Sequence, residues 1–94
     1  MNNHSYKKTA SFLKLVGEET RLKILTTLIT SKGKLCVNEV AKRIGMSQSA
    51  TSHQLSRLEK ARIIAPQTAG QKSCYILLDT VEAKQAFALL NLFK

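Results

Sequence analysis

Through most of the chain, apolar residues recur at intervals of three and four, the spacing that lines them along one face of a helix. Tyr6, Ala10 and Leu13 make one stripe and Phe12, Leu15 and Val16 an adjoining one. That predicts a helix over Tyr6–Val16, with Gly17 suited to stop it. Leu22, Leu25 and Ile29, flanked by Ile24 and Leu28, predict a second helix over Glu19–Ile29, broken by Ser31-Lys32-Gly33. Lys34–Cys36 is short and ambiguous, a stub of strand at most. Val37, Val40, Ala41 and Ile44 then sit at i, i+3, i+4 and i+7, a short amphipathic helix that Gly45 ends. Ser47 offers an N-cap hydroxyl for a fourth helix reaching as far as Ala61.

Beyond that point the period changes. Ile63-Ile64-Ala65-Pro66 and Ser73–Leu78 read as two strands around a polar loop with Gly70, a hairpin with a long tip. Pro66 fits only at a strand end or edge. Asp79, with Glu82 three residues on, makes a capping box that opens a last helix running to Lys94. The order is α-α-(β)-α-α-β-β-α, a mainly α fold with a small β-hairpin. Residues 1–5 read as a disordered tail and residues 6–94 as one domain.

The segment from Val37 to Arg62 carries the strongest chemical signal. A short helix, a turn at Gly45 and a longer polar helix make a helix-turn-helix. Ala41, four residues before Gly45, is small enough to let the two helices approach, and Gly45 permits a left-handed turn. At about 100° per residue, Thr51, Leu55 and Leu58 fall on the core side of the second helix. Ser49, His53, Ser56, Arg57 and Lys60 fall opposite, with Ser52 on the flank. Short polar groups near its start (Ser47, Gln48, Ser49, Ser52, His53) suit base edges in the major groove. Cations toward its end suit phosphate. The hairpin would then be a wing, setting Lys72 and the amides near Gly70 beside a nucleic-acid backbone. The plainer reading is a solvated helix, but Ser is a mediocre helix former, and none of the residues from Ser47 to Ser52 is charged.

Composition narrows the choice. At 94 residues the chain allows one domain, and a 44% hydrophobic fraction excludes a disordered basic tail. Fifteen cations against six anions give a formal charge of +9, so a polyanion, double-stranded DNA above all, is the first partner to consider. Six cations face two anions in residues 1–33, the same in 34–62, and three face two in 63–94. The charge is thus not packed into a tail, which favours base reading over bare phosphate attraction. No stretch approaches the roughly 18 apolar residues of a membrane span, and the N-terminus starts no secretory apolar region. With only two cysteines there is no disulfide scaffold, and a cytoplasmic location is expected. Four scattered glycines make no phosphate loop, Asp79 is a cap, and the serines cluster on one helix. Neither an enzyme nor a bound cofactor is expected.

These residues resemble the ArsR/SmtB family of bacterial winged helix-turn-helix repressors. The matching pieces are Thr20-Arg21-Leu22-Lys23-Ile24-Leu25, Leu35-Cys36-Val37-Asn38-Glu39-Val40-Ala41 and Met46-Ser47-Gln48-Ser49-Ala50-Thr51-Ser52-His53-Gln54-Leu55. Tyr75-Ile76-Leu77 falls where that family has its second wing strand. The resemblance spans Phe12 to Leu92 and implies a homodimer that releases operator DNA when a metal or another small inducer acts. Two departures stand out. Arg62 occupies the end of the reading helix, where the family often has Gly, and the wing segment Gln67–Lys72 has one cation where several are usual.

A dimer also follows from the residues themselves. From Gln85 to Phe93, seven of nine residues are apolar and none is charged, more than one face of a terminal helix needs. Phe12, Leu15 and Val16 of the first helix, with Phe87, Leu90 and Phe93 of the last, are the expected contacts across a two-fold axis. Such a pair places two reading helices about one DNA turn apart, on a near-palindromic operator.

For the inducer, the resemblance offers two metal sites to test. One uses Asp-x-His at the start of the last helix, and here Asp79 is followed at the second position by Val81. The other uses Cys-Val-Cys, and here the string is Cys36-Val37-Asn38. His53 lies on the DNA-facing side and His4 in the tail, so no metal site of the family type is expected. Cys36 and Cys74 are read first as two structural thiols. If the stub strand lies beside the second wing strand, they become a redox- or sulfur-responsive pair instead. The chief function expected is a sequence-specific repressor. The alternatives are a thiol-responsive repressor of the same fold, a non-specific architectural DNA binder, or a protein-interaction module.

Overall fold

A computed structural model of the chain describes residues 1–93. Five helices and three short strands follow in order: α1 (Asn3–Val16), α2 (Glu19–Thr30), β1 (Lys34–Cys36), α3 (Val37–Ile44), α4 (Gln48–Lys60), β2 (Ile64–Pro66), β3 (Cys74–Leu77) and α5 (Val81–Leu92). The fold is the mainly helical winged helix-turn-helix expected. Lys94, to which the last helix was expected to run, lies outside the described residues.

Side chains at the helix starts set the boundaries. The Asn2 carboxamide accepts the Ser5 N–H at 2.8 Å, so α1 begins at Asn3, inside the segment that reads as a tail. The Glu18 carboxylate accepts the N–H groups of Thr20 and Arg21 and opens α2. The last cap differs from expectation. Thr80, not Asp79, accepts the Ala83 N–H at 3.0 Å, and its own hydroxyl donates to the Arg62 carbonyl at 2.6 Å. Asp79 is left to pair with Lys84 at 3.5 Å.

The strands form one antiparallel sheet in the order β1-β3-β2. The stub at Lys34–Cys36 is therefore a true strand, paired Lys34 to Ile76, Leu35 to Tyr75 and Cys36 to Cys74. At the hairpin tip Ala69 and Lys72 exchange backbone hydrogen bonds. Gly70 takes the first of the two loop positions at φ 65°, as a type II′ turn asks.

The core gathers where α2, α3 and α4 meet. Ile24, Leu25, Leu28, Val40, Leu55, Leu58 and Ile63 are wholly buried, each contributing about 1.5–3 kcal/mol by leaving water. Ala83 and Ala86 turn α5 onto the same cluster. Val16 is buried there too, at 3% exposed.

Candidate nucleic-acid interface

The interface starts from how α4 is anchored. Gly45 adopts φ 72°, ψ 38°, and the N–H groups of Gly45 and Met46 both donate to the Ala41 carbonyl. This left-handed stop reverses the chain within two residues. Ser47 then caps α4: its hydroxyl accepts the Ala50 N–H at 3.1 Å, and its carbonyl accepts from the Thr51 hydroxyl at 2.8 Å. Thr51, Leu55 and Leu58 are all at 0% exposure, so the rotation of the helix about its axis is fixed. Its far end is closed by Arg62 at φ 65°, with the Ile63 N–H reaching back to the Leu58 carbonyl. A left-handed conformation that glycine adopts at no cost is thus held here by an arginine.

With the axis fixed, the outer edge follows. Gln48, Ser49, His53, Arg57 and Lys60 are exposed, and Ser52 and Ser56 are half-buried beside them. They make one continuous polar stripe, hydroxyls and imidazole first, cations last. Ser47 is exposed too, although its hydroxyl also serves as the cap. Lys72 stands apart on the wing, next to the tip. Hydroxyl and imidazole groups in this order can donate to and accept from base edges, and the cations behind them can neutralise phosphates.

Behind the stripe, Tyr75 of β3 is buried against α4. Burial raises its phenol above the ordinary value, the Glu59 carboxylate raises it further, and the Ser56 hydroxyl partly offsets both. Sequence reading gave Tyr75 no role, although the alternation of β3 puts it on the inner face.

The two cysteines required a correction. Cys36, at the N-cap of α3, and Cys74 of β3 form a disulfide, because their strands are neighbours in register. The first reading of two separate structural thiols is set aside. The expected dimer contacts are scattered. Phe87 and Phe93 are exposed, at 46% and 85%, and Phe12, Leu15 and Leu90 are half-buried. Val16 presents no surface to a partner, whereas Leu13, Leu92 and Val81 are exposed and were not singled out.

Comparison with known proteins supplies the context. A family model described as bacterial regulatory protein, arsR family, matches residues 18–65, which run from the cap of α2 into β2. The chain is 38% identical over 80 residues to the HTH-type transcriptional regulator NmtR of Mycobacterium tuberculosis, covering 85% of this chain and 65% of that protein. It thus spans a little less than two thirds of that relative's length. It is 32% identical over 73 residues to the arsenical resistance operon repressor of Staphylococcus aureus, covering 78% and 68% of the two chains. Among solved structures, HlyU from Vibrio cholerae matches with a TM-score of 0.79 and 30% identity, over 99% of this chain and 98% of that one.

Proposed function

This chain belongs to the arsR family of bacterial regulatory proteins, and we propose that it acts as a sequence-specific transcriptional repressor, a homodimer on a near-palindromic operator. The observation that carries this reading is the division of α4. Its core residues are sealed while the stripe from Ser49 to Lys60 faces out. A formal charge of +9 supports a polyanion as the partner. The exposed apolar residues Leu13, Phe87, Leu92 and Phe93 on α1 and α5 support pairing through those helices. The direct test is a gel shift on the DNA upstream of the protein's own gene, comparing the wild type with the triple variant Ser49→Ala, His53→Ala, Arg57→Ala. Loss of the shift in the variant is expected, and retained binding would move the interface elsewhere.

The regulator is read as lacking the family's usual metal sites. The Cys36 sulfur is bonded to Cys74 and the next candidate ligand is Asn38. Asp79 is paired with Lys84, and Val81 offers only alkyl carbon. These residues do not fit a tetrahedral thiolate or imidazole site.

The disulfide favours a second reading, in which the input is a thiol oxidant. The Cys36 and Cys74 thiols give two electrons and two protons to a disulfide compound, which leaves as two thiols while the Cys36–Cys74 bond forms. That bond ties the start of α3 to the wing strand beside Tyr75. Gel shifts with and without reductant separate the readings, since a redox-blind repressor binds equally in both.

A further inference from the structure

The polar links between elements include one with a distinctive reach. Arg21 lies on α2 with its side chain only 11% exposed. Its Nε donates to the Leu15 carbonyl in the last turn of α1. Its Nη1 donates to the Gln54 carboxamide oxygen of α4 at 2.8 Å. Glu18 stands 3.7 Å from the same Nη1 and holds the charge in place. Among the described residues no other hydrogen bond between side chains spans so much sequence, 33 positions.

We propose that Arg21 is a positioning residue that bolts α1 to the reading helix, setting the angle and separation of the two α4 helices in the dimer. The inference rests on the repressor reading above. The planar guanidinium can serve both partners because its donors diverge in a fixed fork. One arm satisfies a helix-end carbonyl that has no partner within α1, at the negative end of that helix's dipole. The other arm grips α4 at Gln54, between His53 on the outer edge and Leu55 in the core. Apolar packing fixes the rotation of α4, but its contacts are non-directional. A bond from the part-buried Arg21 guanidinium adds direction to that packing, and bonds to charged groups are the stronger class. Since α1 carries part of the pairing face, any shift of α4 against α1 within a protomer is doubled across the two-fold axis.

The test uses the full chain and three variants: Arg21→Lys, which keeps the charge but not the fork, Gln54→Leu, and the double variant. Each is titrated with duplexes whose half-sites are first selected by the wild type from a randomised pool, at spacings varied by single base pairs. Melting temperature and solution mass are recorded alongside. The expected result is a sharp spacing optimum for the wild type. Each single variant should lose about tenfold in affinity at that optimum and show a flattened profile, with dimer mass retained. The double variant should be no worse than either single. A merely stabilising role would lower the melting temperature and leave the spacing profile unchanged. An unchanged profile, or additive losses in the double variant, overturns the inference while leaving the repressor reading intact. A wild type with no preference among duplexes overturns the repressor reading itself, and this inference with it.

Discussion

At the scale of single residues, the structure separates what a side chain could do from what its position leaves it free to do. Ser52 and His53 lie on the polar edge of α4 proposed to read bases, so Ser52→Ala and His53→Ala should each weaken binding to an operator selected from a randomised duplex pool by about 1–3 kcal/mol, with little effect on random duplex. Lys72, on the wing, should behave oppositely: Lys72→Ala weakens all duplexes alike and lowers the salt slope by about one. A change of sequence preference in that variant would show that the phosphate and base contacts have been sorted wrongly. Arg62 holds a left-handed conformation that costs a non-glycine residue about 1–2 kcal/mol. Glycine there gives back part of that through its looser unfolded chain, so Arg62→Gly should stabilise the protein by about 0.5–1 kcal/mol in urea melts. Glu18 has its carboxyl held below the ordinary 4.5 by the N–H groups of Thr20 and Arg21. Its contribution is therefore present in full above that value and fades as pH falls through the lower folded value. The stability gap between wild type and Glu18→Gln should close on acidification, and a gap that widens would contradict the cap. Residue roles on α4 were legible because a helix face follows from spacing alone. Val16 was not, because two adjoining stripes on α1 do not tell which one meets the core.

At the scale of elements, the α3–turn–α4 unit could be read almost in full. Its signals are local: Gly45 for the left-handed stop, Ser47 for the cap and a clean division of faces on α4. What escaped was set by contacts between distant segments. Asp79 and Thr80 are both able caps. The choice falls to Thr80 because its hydroxyl also reaches the Arg62 carbonyl, 18 positions earlier. Similarly, three residues from Lys34 to Cys36 become a strand only because β3 is there to pair with them. The exposed stripe on α5 makes its own demand. Phe87→Glu should leave the protomer folded, since Phe87 is 46% exposed, but place a charge in the proposed pairing face. Sedimentation at micromolar concentration should then show a single subunit and operator binding should fall sharply. A variant that remains a dimer would move the interface off this part of α5.

At the scale of the whole molecule, the disulfide divides the chain into a closed loop and the helices outside it. The Cys36–Cys74 bond closes a loop over a sequence separation of 38 that contains α3, α4, β2 and the wing tip, the entire reading unit. By loop entropy such a closure is worth about 4 kcal/mol, so reduction should lower unfolding stability by an amount of that order. If reduction leaves stability unchanged, the bond contributes nothing to the fold and the thiol-input reading loses its structural basis. Of the helices left outside the loop, α1 and α5 carry the exposed apolar residues that support pairing. On the proposed function, the loop holds the module that would read DNA and the helices outside it the one that would pair, and Arg21 of α2 links the two through Gln54 of α4. The central claim is that α4 presents its polar edge to base pairs twice, from a symmetric pair. Selection of bound duplexes from a fully randomised pool, at raised salt, tests it most directly. The account expects enrichment of one near-palindromic motif with half-sites about 10 base pairs apart, bound by two subunits. A pool that stays random after selection, with equal affinity for every duplex, would contradict it.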